Sequence, residues 1–487
     1  MHNELVVIFD CGATNVRVVA INPAGHIEAS CSYTNATKKD PHYSPGLIWD
    51  IEDIWDKLTR ASREVISKID PGRVVAVSVT TFGVDGTFMD QNGTLLYPLI
   101  SWQCQRTHPV MDHIDRYISR ERLYQISGVY PFGMNTINKL IWLKENKPGV
   151  IRQASDFLFL SSLLLYRLSD VRLTNTTMAG TSMLMDARQR RFSPEILTGI
   201  GLDTSLFPQI REAGEVVGSV TPDASLATAL PEDLPVYVTG HDTQFAIFGS
   251  GAGLAEPILS SGTWEILMSR SRDFTAEEEQ LQMGITTELD ALPGWYNIGL
   301  NWMGSGPLEW IRNMFFSSAG NPESYETLIA EAEQLSPGSN GIRVNPDFVQ
   351  EDRGKYPSGL FGLRLQTSRS QIYRAALESL SFKLKKGLVA LEHAGGFSAS
   401  QIICVGGGSK NRLWNQIRAD ACQRPIQLID QKETTVLGAA LFGFVAAGIF
   451  QNIDEAREQL KYNPQMIYPS ENAQVYQQLE DSFMEFI

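Results

Sequence analysis

The chain has no stripe of basic residues, no paired-cysteine spacing and no apolar run long enough to cross a bilayer. Its 41 Lys and Arg stand against 55 Asp and Glu, a net charge of −14. That balance argues against nucleic acid and anionic membranes as partners, because both require basic patches. A polyphosphate ligand would then be held by backbone amides, a few cationic groups and a metal ion. The cysteines (Cys11, Cys31, Cys104, Cys404 and Cys422) are odd in number and lack C-x-x-C spacing. They predict free thiols in a reducing cytoplasm and no zinc site. The seven histidines show no H-x-x-x-H spacing, so no transition-metal site is expected. The longest uncharged stretch, Val436 to Phe450, falls short of the roughly twenty residues of a membrane span. Its Gly and Ala content predicts a buried helix packed closely on a sheet. No basic-then-apolar leader opens the chain, which again predicts a cytoplasmic protein.

What is present is ordinary globular composition: 43% hydrophobic and 20% charged over 487 residues, enough for two or three domains. Strand-like and helix-like periods alternate, which predicts α/β architecture. Val6 to Phe9 reads as a strand that returns through Arg17 to Asn22 and again through His26 to Ser32. Leu47 to Ile69 has helical spacing, and Arg73 to Thr81 is a β-branched strand followed by a turn at Asp90 to Gly93. Helices are expected near Pro109–Ser127 and Thr136–Asn146. A strand–Gly/Thr turn–strand device occurs twice, at Asp10 to Arg17 and at Ser260 to Trp264. Two similar halves closing on one nucleotide would explain the repetition. The boundary is expected near Gly240, dividing the chain into 1–240 and 241–487, with more than one connection between the halves.

Several positions carry candidate chemistry. The first strand delivers Asp10 to a turn containing Gly12, Thr14 and Asn15. Backbone N–H groups in such turns form anion-binding nests, and an acid beside phosphate implies a hard cation such as Mg²⁺. The same residues also suit an ordinary Asx-type turn. Asp242 follows an apolar strand and a glycine, where it could accept a hydroxyl proton or cap a helix. Ile402 to Asn411 reads as a strand and a three-glycine turn leading into a helix that reaches about Gln423, without G-x-G-x-x-G spacing. A nucleotide base or ribose could lie on those glycines, or the turn could simply be tight. Asp85 and Trp102 suit a polyol, or a glycine-rich turn beside a core tryptophan. Arg17, Arg106 and Lys410 could each meet phosphate or simply be solvated. No Walker loop occurs.

Together these pieces resemble the FGGY carbohydrate kinases, a branch of the actin/Hsp70-like ATPase fold. Two long family patterns match over their full length, one at 134–146 and one beginning at 358–363 and closing at 371–378. The resemblance runs from about residue 4 to about residue 450. It implies an α/β fold of two actin-like (ribonuclease H-like) domains with a cleft between them. By that likeness Asp10 is metal-associated, through water or phosphate, and Gly12, Thr14, Asn15 and Arg17 form a first phosphate loop. Gly262 and Thr263 form a second loop, while Gly407, Gly408 and Asn411, with Ser305 nearby, form an adenosine site. Asp242 is the general base, and Val84, Asp85, Trp102 and Asp242 contact sugar. The implied activity is ATP- and Mg²⁺-dependent phosphorylation of a ketose, first L-fuculose, with L-rhamnulose or D-ribulose as alternatives. His241 before the base supports a deoxyketose. A homodimer is compatible with the family. The rival from another class is an actin- or Hsp70-like ATPase that switches a protein partner.

Overall fold

The structure is a computed structural model that describes residues 3–318, 321–348, 357–429 and 433–487. They fall into two compact units. The first comprises Met1–Gly251, Arg272–Asn297 and Glu433–Lys461; the second comprises Ala252–Ser271, Ile298–Lys432 and Tyr462–Ile487. Both units are discontinuous in sequence, so no single cut near Gly240 reproduces them. Residues 241–251, carrying Asp242, belong with the first unit. The reason is packing: the helix Asp242–Gly249 lies against the helix Thr434–Ala446, whose small residues permit close approach. A Cβ on Gly438 would meet the Phe245 carbonyl oxygen at 2.1 Å, and one on Gly249 the Thr434 carbonyl oxygen at 2.0 Å. The uncharged stretch at 436–450 is therefore a buried helix as far as Ala446, as its composition predicts, followed by a turn at 447–450.

The first unit is built on a six-stranded sheet in the order 216–219, 235–237, 74–81, 5–11, 15–21, 27–34. Strand Leu5–Cys11 is buried throughout because helices cover both faces. Its side chains alternate accordingly. Leu5, Val7, Phe9 and Cys11 join one core with Leu58, Ala61 and Val65 of the helix Ile51–Ile66. Val6 and Ile8 join another with Val436, Ala440 and Phe442. The second unit repeats the arrangement. There 264–271, 258–261, 402–405, 426–428 and 465–467 lie side by side, paired antiparallel, parallel, parallel and antiparallel. In the first unit 15–21, 5–11, 74–81, 235–237 and 216–219 pair in the same sequence of directions. The duplicated hairpin seen in the sequence is thus one part of a duplicated five-strand sheet.

Two expected helices differ in the structure. Leu47–Trp49 is a short strand paired with Leu99–Ile100, and the helix begins at Ile51. Asp50 caps it by accepting from the backbone N–H groups of Glu52 and Asp53. Residues 109–127 are not one helix: a 3₁₀ segment Gln105–Asp112 containing Pro109 and a short turn at Ile114–Arg116 precede the helix Arg120–Ser127, which Ser119 caps. Proline interrupts the α pattern, and the cap restarts it. No helix among the described residues is long and apolar enough to cross a membrane.

Candidate active site

In the first unit the strand Leu5–Cys11 turns at Gly12, whose N–H donates to the Asn15 carbonyl at 2.9 Å, and returns with Arg17 directly opposite Asp10. Asp10 is held from two sides: Oδ2 accepts from Arg17 Nε at 2.7 Å and Oδ1 from Thr80 Oγ1 at 2.9 Å. Arg17 also pairs with Glu433. The arginine expected at phosphate is therefore engaged by carboxylates, while Thr14 and Asn15 stand exposed at the tip. Arg106 is withdrawn further. Its guanidinium is buried, paired with Asp40 at 2.6 Å and stacked over Tyr43 and Trp142, so it holds the fold and not a phosphate.

The loop after strand Val74–Thr81 is shaped by a lysine that composition and spacing did not single out. Lys139, on the helix Thr136–Asn146, pairs with Asp85 and donates to the Val84 carbonyl at 2.8 Å; Thr136 Oγ1 donates to the same oxygen at 2.9 Å. Val84 is consequently held at φ 64°. A β-branched residue reaches that region only at a cost, and such strain concentrates at functional loops. Asp85 is wholly buried, and its Oδ2 accepts from Trp49 Nε1 at 2.6 Å and from the Trp102 backbone N–H at 3.0 Å. Its carboxylate thus anchors the Val84 and Trp102 segments to each other. The Trp102 indole N–H is buried and, among the described residues, has no hydrogen-bond partner. The only advance signal for Lys139 was its place inside the first family pattern.

Asp242 opens the helix Asp242–Gly249, with His241 at the capping position, so Asp242 is the first helical residue and not its cap. The approach is fixed by Gly240, where a Cβ would meet Asn175 Oδ1 at 2.0 Å. Thr81 donates its N–H to the Gly240 carbonyl at 3.0 Å, joining this turn to the end of the strand that leads into the Val84 loop. Gly83 lies against the His241 imidazole: a Cβ there would meet Nε2 at 2.8 Å. Asp242 keeps 29% of its side chain exposed. Burial, reinforced by the charge of Asp10, pushes its carboxyl up to about 7. A carboxylate poised near neutrality suits a general base.

The second unit brings the other predicted group together. Gly262, Ser305, Gly407, Gly408 and Asn411 line one cavity of about 430 Å³, walled by Leu308, Tyr325, Ile329 and Trp414. The Ser305 N–H donates to the Gly262 carbonyl at 2.9 Å and the Gly304 N–H to the Thr263 carbonyl at 2.8 Å, tying the second hairpin to the helix Ser305–Phe315. Asn411 caps the helix Arg412–Cys422 through the Trp414 N–H and donates to Tyr373 Oη at 3.0 Å. The glycines serve different ends. Gly406 has φ 89°, and a Cβ on Gly408 would lie 2.0 Å from Ser261 Oγ, whereas Gly407 faces open space. Below the hairpin Glu265 and Arg418 form a fully buried pair. Ser261 Oγ donates to Glu265 at 2.9 Å, as does Trp302 Nε1, and the Arg418 guanidinium lies 3.6 Å over the Trp414 ring. Neither charge stands out in the sequence, since nothing near Glu265 or Arg418 in the chain points to the other. Apolar walls, a glycine floor and a helix N-terminus are the chemistry that suits a flat apolar ring bearing anionic groups.

Among the described residues no group of three or more His, Cys, Asp and Glu could hold a metal by itself. A Mg²⁺ ion that shares its coordination with phosphate and water needs less: one or two carboxylates. Asp10 fits that role, being a carboxylate whose charge is felt at Asp242 and which Arg17 compensates from one side only.

The model of the FGGY family of carbohydrate kinases, N-terminal domain, matches residues 5–249, and that of its C-terminal domain matches 258–447. The chain is similar to L-fuculokinase of Escherichia coli (strain K12), with 44% identity over 96% of this chain and 98% of that one. It is equally similar to L-fuculokinase of Haemophilus influenzae, at 44% identity over 96% of this chain and all of the other. The fold matches xylulose kinase from Rhodospirillum rubrum with a TM-score of 0.88 at 20% identity, covering 99% of this chain and 98% of that one. Matched by both domain models, and by curated relatives over nearly its whole length, the chain belongs to the FGGY family of carbohydrate kinases.

Proposed function

We propose that this carbohydrate kinase transfers the γ-phosphoryl group of ATP to the C1 hydroxyl of L-fuculose, with Asp242 as general base. The observation that carries the reaction is Asp242 itself, a partly exposed carboxylate at a helix start with its protonation poised near neutrality. The choice of sugar rests on the 43–44% full-length identity to proteins named L-fuculokinase. Asp242 takes the hydroxyl proton as the oxygen attacks phosphorus, and phosphoryl transfer asks little more of a protein than such a base, positioning and charge neutralisation. The unpartnered Trp102 indole N–H is a donor for a sugar hydroxyl, and the Val84 loop, locked by Lys139 and Asp85, sets where the sugar lies. In the second unit the 430 Å³ cavity receives the nucleoside on Gly407 and Gly408, with Gly262 on its wall and the Thr263 hydroxyl as a phosphate donor beside it; in the first unit the turn shaped by Gly12 presents the exposed side chains of Thr14 and Asn15 as phosphate donors. Asp10 would hold Mg²⁺ through water or phosphate. When bound, that ion neutralises charge on the phosphate oxygens. Unpaired thiols at all five cysteines support a reducing, cytoplasmic setting.

The test is ADP release measured over L-fuculose, L-rhamnulose, L-xylulose and D-ribulose. L-Fuculose should exceed the others in kcat/KM by about tenfold or more, which needs only about 1.4 kcal/mol of differential transition-state binding. In the same assay Asp242→Asn should lower kcat by about 10²–10⁴ and leave ATP binding nearly intact. Near-normal turnover in that variant would place the base elsewhere.

A further inference from the structure

Behind Asp242 lies a second buried acid that neither the sugar nor the phosphate reading uses. Glu288 sits in the strand Thr286–Leu289 and is buried, its Oε2 accepting from Gln244 Nε2 at 2.7 Å; Thr181 is a further side-chain partner. The His241 imidazole stands between the two acids. Its Nδ1 lies 3.8 Å from Glu288 Oε2 and its Nε2 lies 3.5 Å from Asp242 Oδ1. Nδ1 is buried and, among the described residues, without a hydrogen-bond partner. Gly83 closes on the ring and limits where it can move. Both gaps exceed a normal hydrogen bond by less than about 1 Å, and catalytic hydrogen bonds commonly tighten only when substrate binds.

We propose that Glu288 is a positioning residue that sets the tautomer of His241 and, through it, the orientation of the Asp242 carboxylate. A protonated Glu288 donates to Nδ1, so the imidazole proton sits on Nε2 and is donated to Asp242 Oδ1. The other carboxylate oxygen, Oδ2, is then presented to the acceptor hydroxyl. When Glu288 ionises the order reverses. Its carboxylate draws the ring proton to Nδ1, and Nε2 turns a lone pair on Asp242 Oδ1, so two acceptors face each other and the orienting bond is lost.

The environment makes this exchange available near neutral pH. Burial pushes Glu288 up to about 7 and His241 down to about 4, so the imidazole stays neutral and must hold its proton on one nitrogen or the other. Among the described residues the other ionisable groups felt at Asp242 are the Asp10 carboxylate and the Cys11 thiol, and burial keeps that thiol protonated. Glu288 is faced by Gln244, Thr181 and His241. Turnover therefore requires Asp242 ionised and Glu288 protonated, which gives a bell-shaped profile whose alkaline side belongs to Glu288.

This inference rests on Asp242 being the base, and the experiment separates the two. kcat and KM are measured on the whole enzyme from about pH 6 to 9, with saturating MgATP and the ketose selected by the panel above. Glu288→Ala should lower kcat about tenfold near neutrality with the ketose KM within about threefold. Glu288→Gln, which cannot ionise, should show no alkaline fall and recover part of that loss, since its amide N–H reaches Nδ1 only where Gln244 gives up its bond to that position. An alkaline fall that persists in Glu288→Gln overturns the proposal. So does a raised ketose KM at unchanged kcat, which would make Glu288 a sugar ligand. If Asp242→Asn turns over normally, the base reading itself fails; if it is inactive while both Glu288 variants behave as wild type, only the role of Glu288 fails. Should Glu288→Ala not fold, the alkaline limb of Glu288→Gln decides alone.

Discussion

The two hairpins, Leu5–Ile21 and Ile258–Ser271, share a backbone and differ in what they do with an acid. Each turns on a glycine whose N–H donates to a carbonyl two or three residues on: Gly12 to Asn15 at 2.9 Å and Gly262 to Trp264 at 3.0 Å. In the first, the acid is Asp10, on the incoming strand, with 12% of its side chain still open to solvent. In the second, it is Glu265, on the outgoing strand and wholly enclosed by Arg418, Ser261 and Trp302. A carboxylate at the rim of a turn can meet a cation or phosphate-bound water. One below the turn can only hold the turn in place. The same local motif therefore presents charge in one unit and hides it in the other.

The largest effect expected from breaking this contrast is structural. Glu265→Gln leaves the Arg418 guanidinium buried without its counter-ion, a loss of about 3–5 kcal/mol, read as a lower midpoint in urea unfolding. Asp10→Asn should do the reverse: turnover falls about 10²-fold, equivalent to about 2.7 kcal/mol, while the unfolding midpoint moves little. The same variant sharpens the pH argument. Asp242 must be ionised to take a proton, and its raised value of about 7 means that kcat falls as pH drops below neutrality. Removing the neighbouring charge of Asp10 stabilises the ionised form, so the acid limb should move to lower pH. An unmoved limb would show that burial alone sets it. The smallest effect belongs to the glycine floor. Gly407 faces open space, so Gly407→Val should leave stability unchanged and weaken ATP binding by about tenfold, read by titration calorimetry. A loss of stability would mean that the turn needs Gly407 as it needs Gly408.

The alternating strands, the duplicated turn, the buried Gly/Ala helix and the positions of Asp10, Asp242 and the glycine shelf were legible because each rests on local periodicity or local turn chemistry. Family patterns then supplied roles that spacing alone left open between turn, cap and site. Other features depended on partners far away in the chain. Arg17 looks like a phosphate ligand until Glu433 arrives from more than four hundred residues on and engages it. Asp85 looks like a sugar acceptor until Trp49 and Lys139 occupy it.

Hydrophobic period and glycine placement act over a few residues, so the fold class and the pieces of the candidate site can be read from the chain alone. Which charges are open and which enclosed, that residues 241–251 belong with the first unit, and that Glu288 stands behind His241 all depend on long-range packing. Burial and pairing are properties of whatever packs alongside, and a polar residue in an apolar run gives no sign of its partner until the chain has folded.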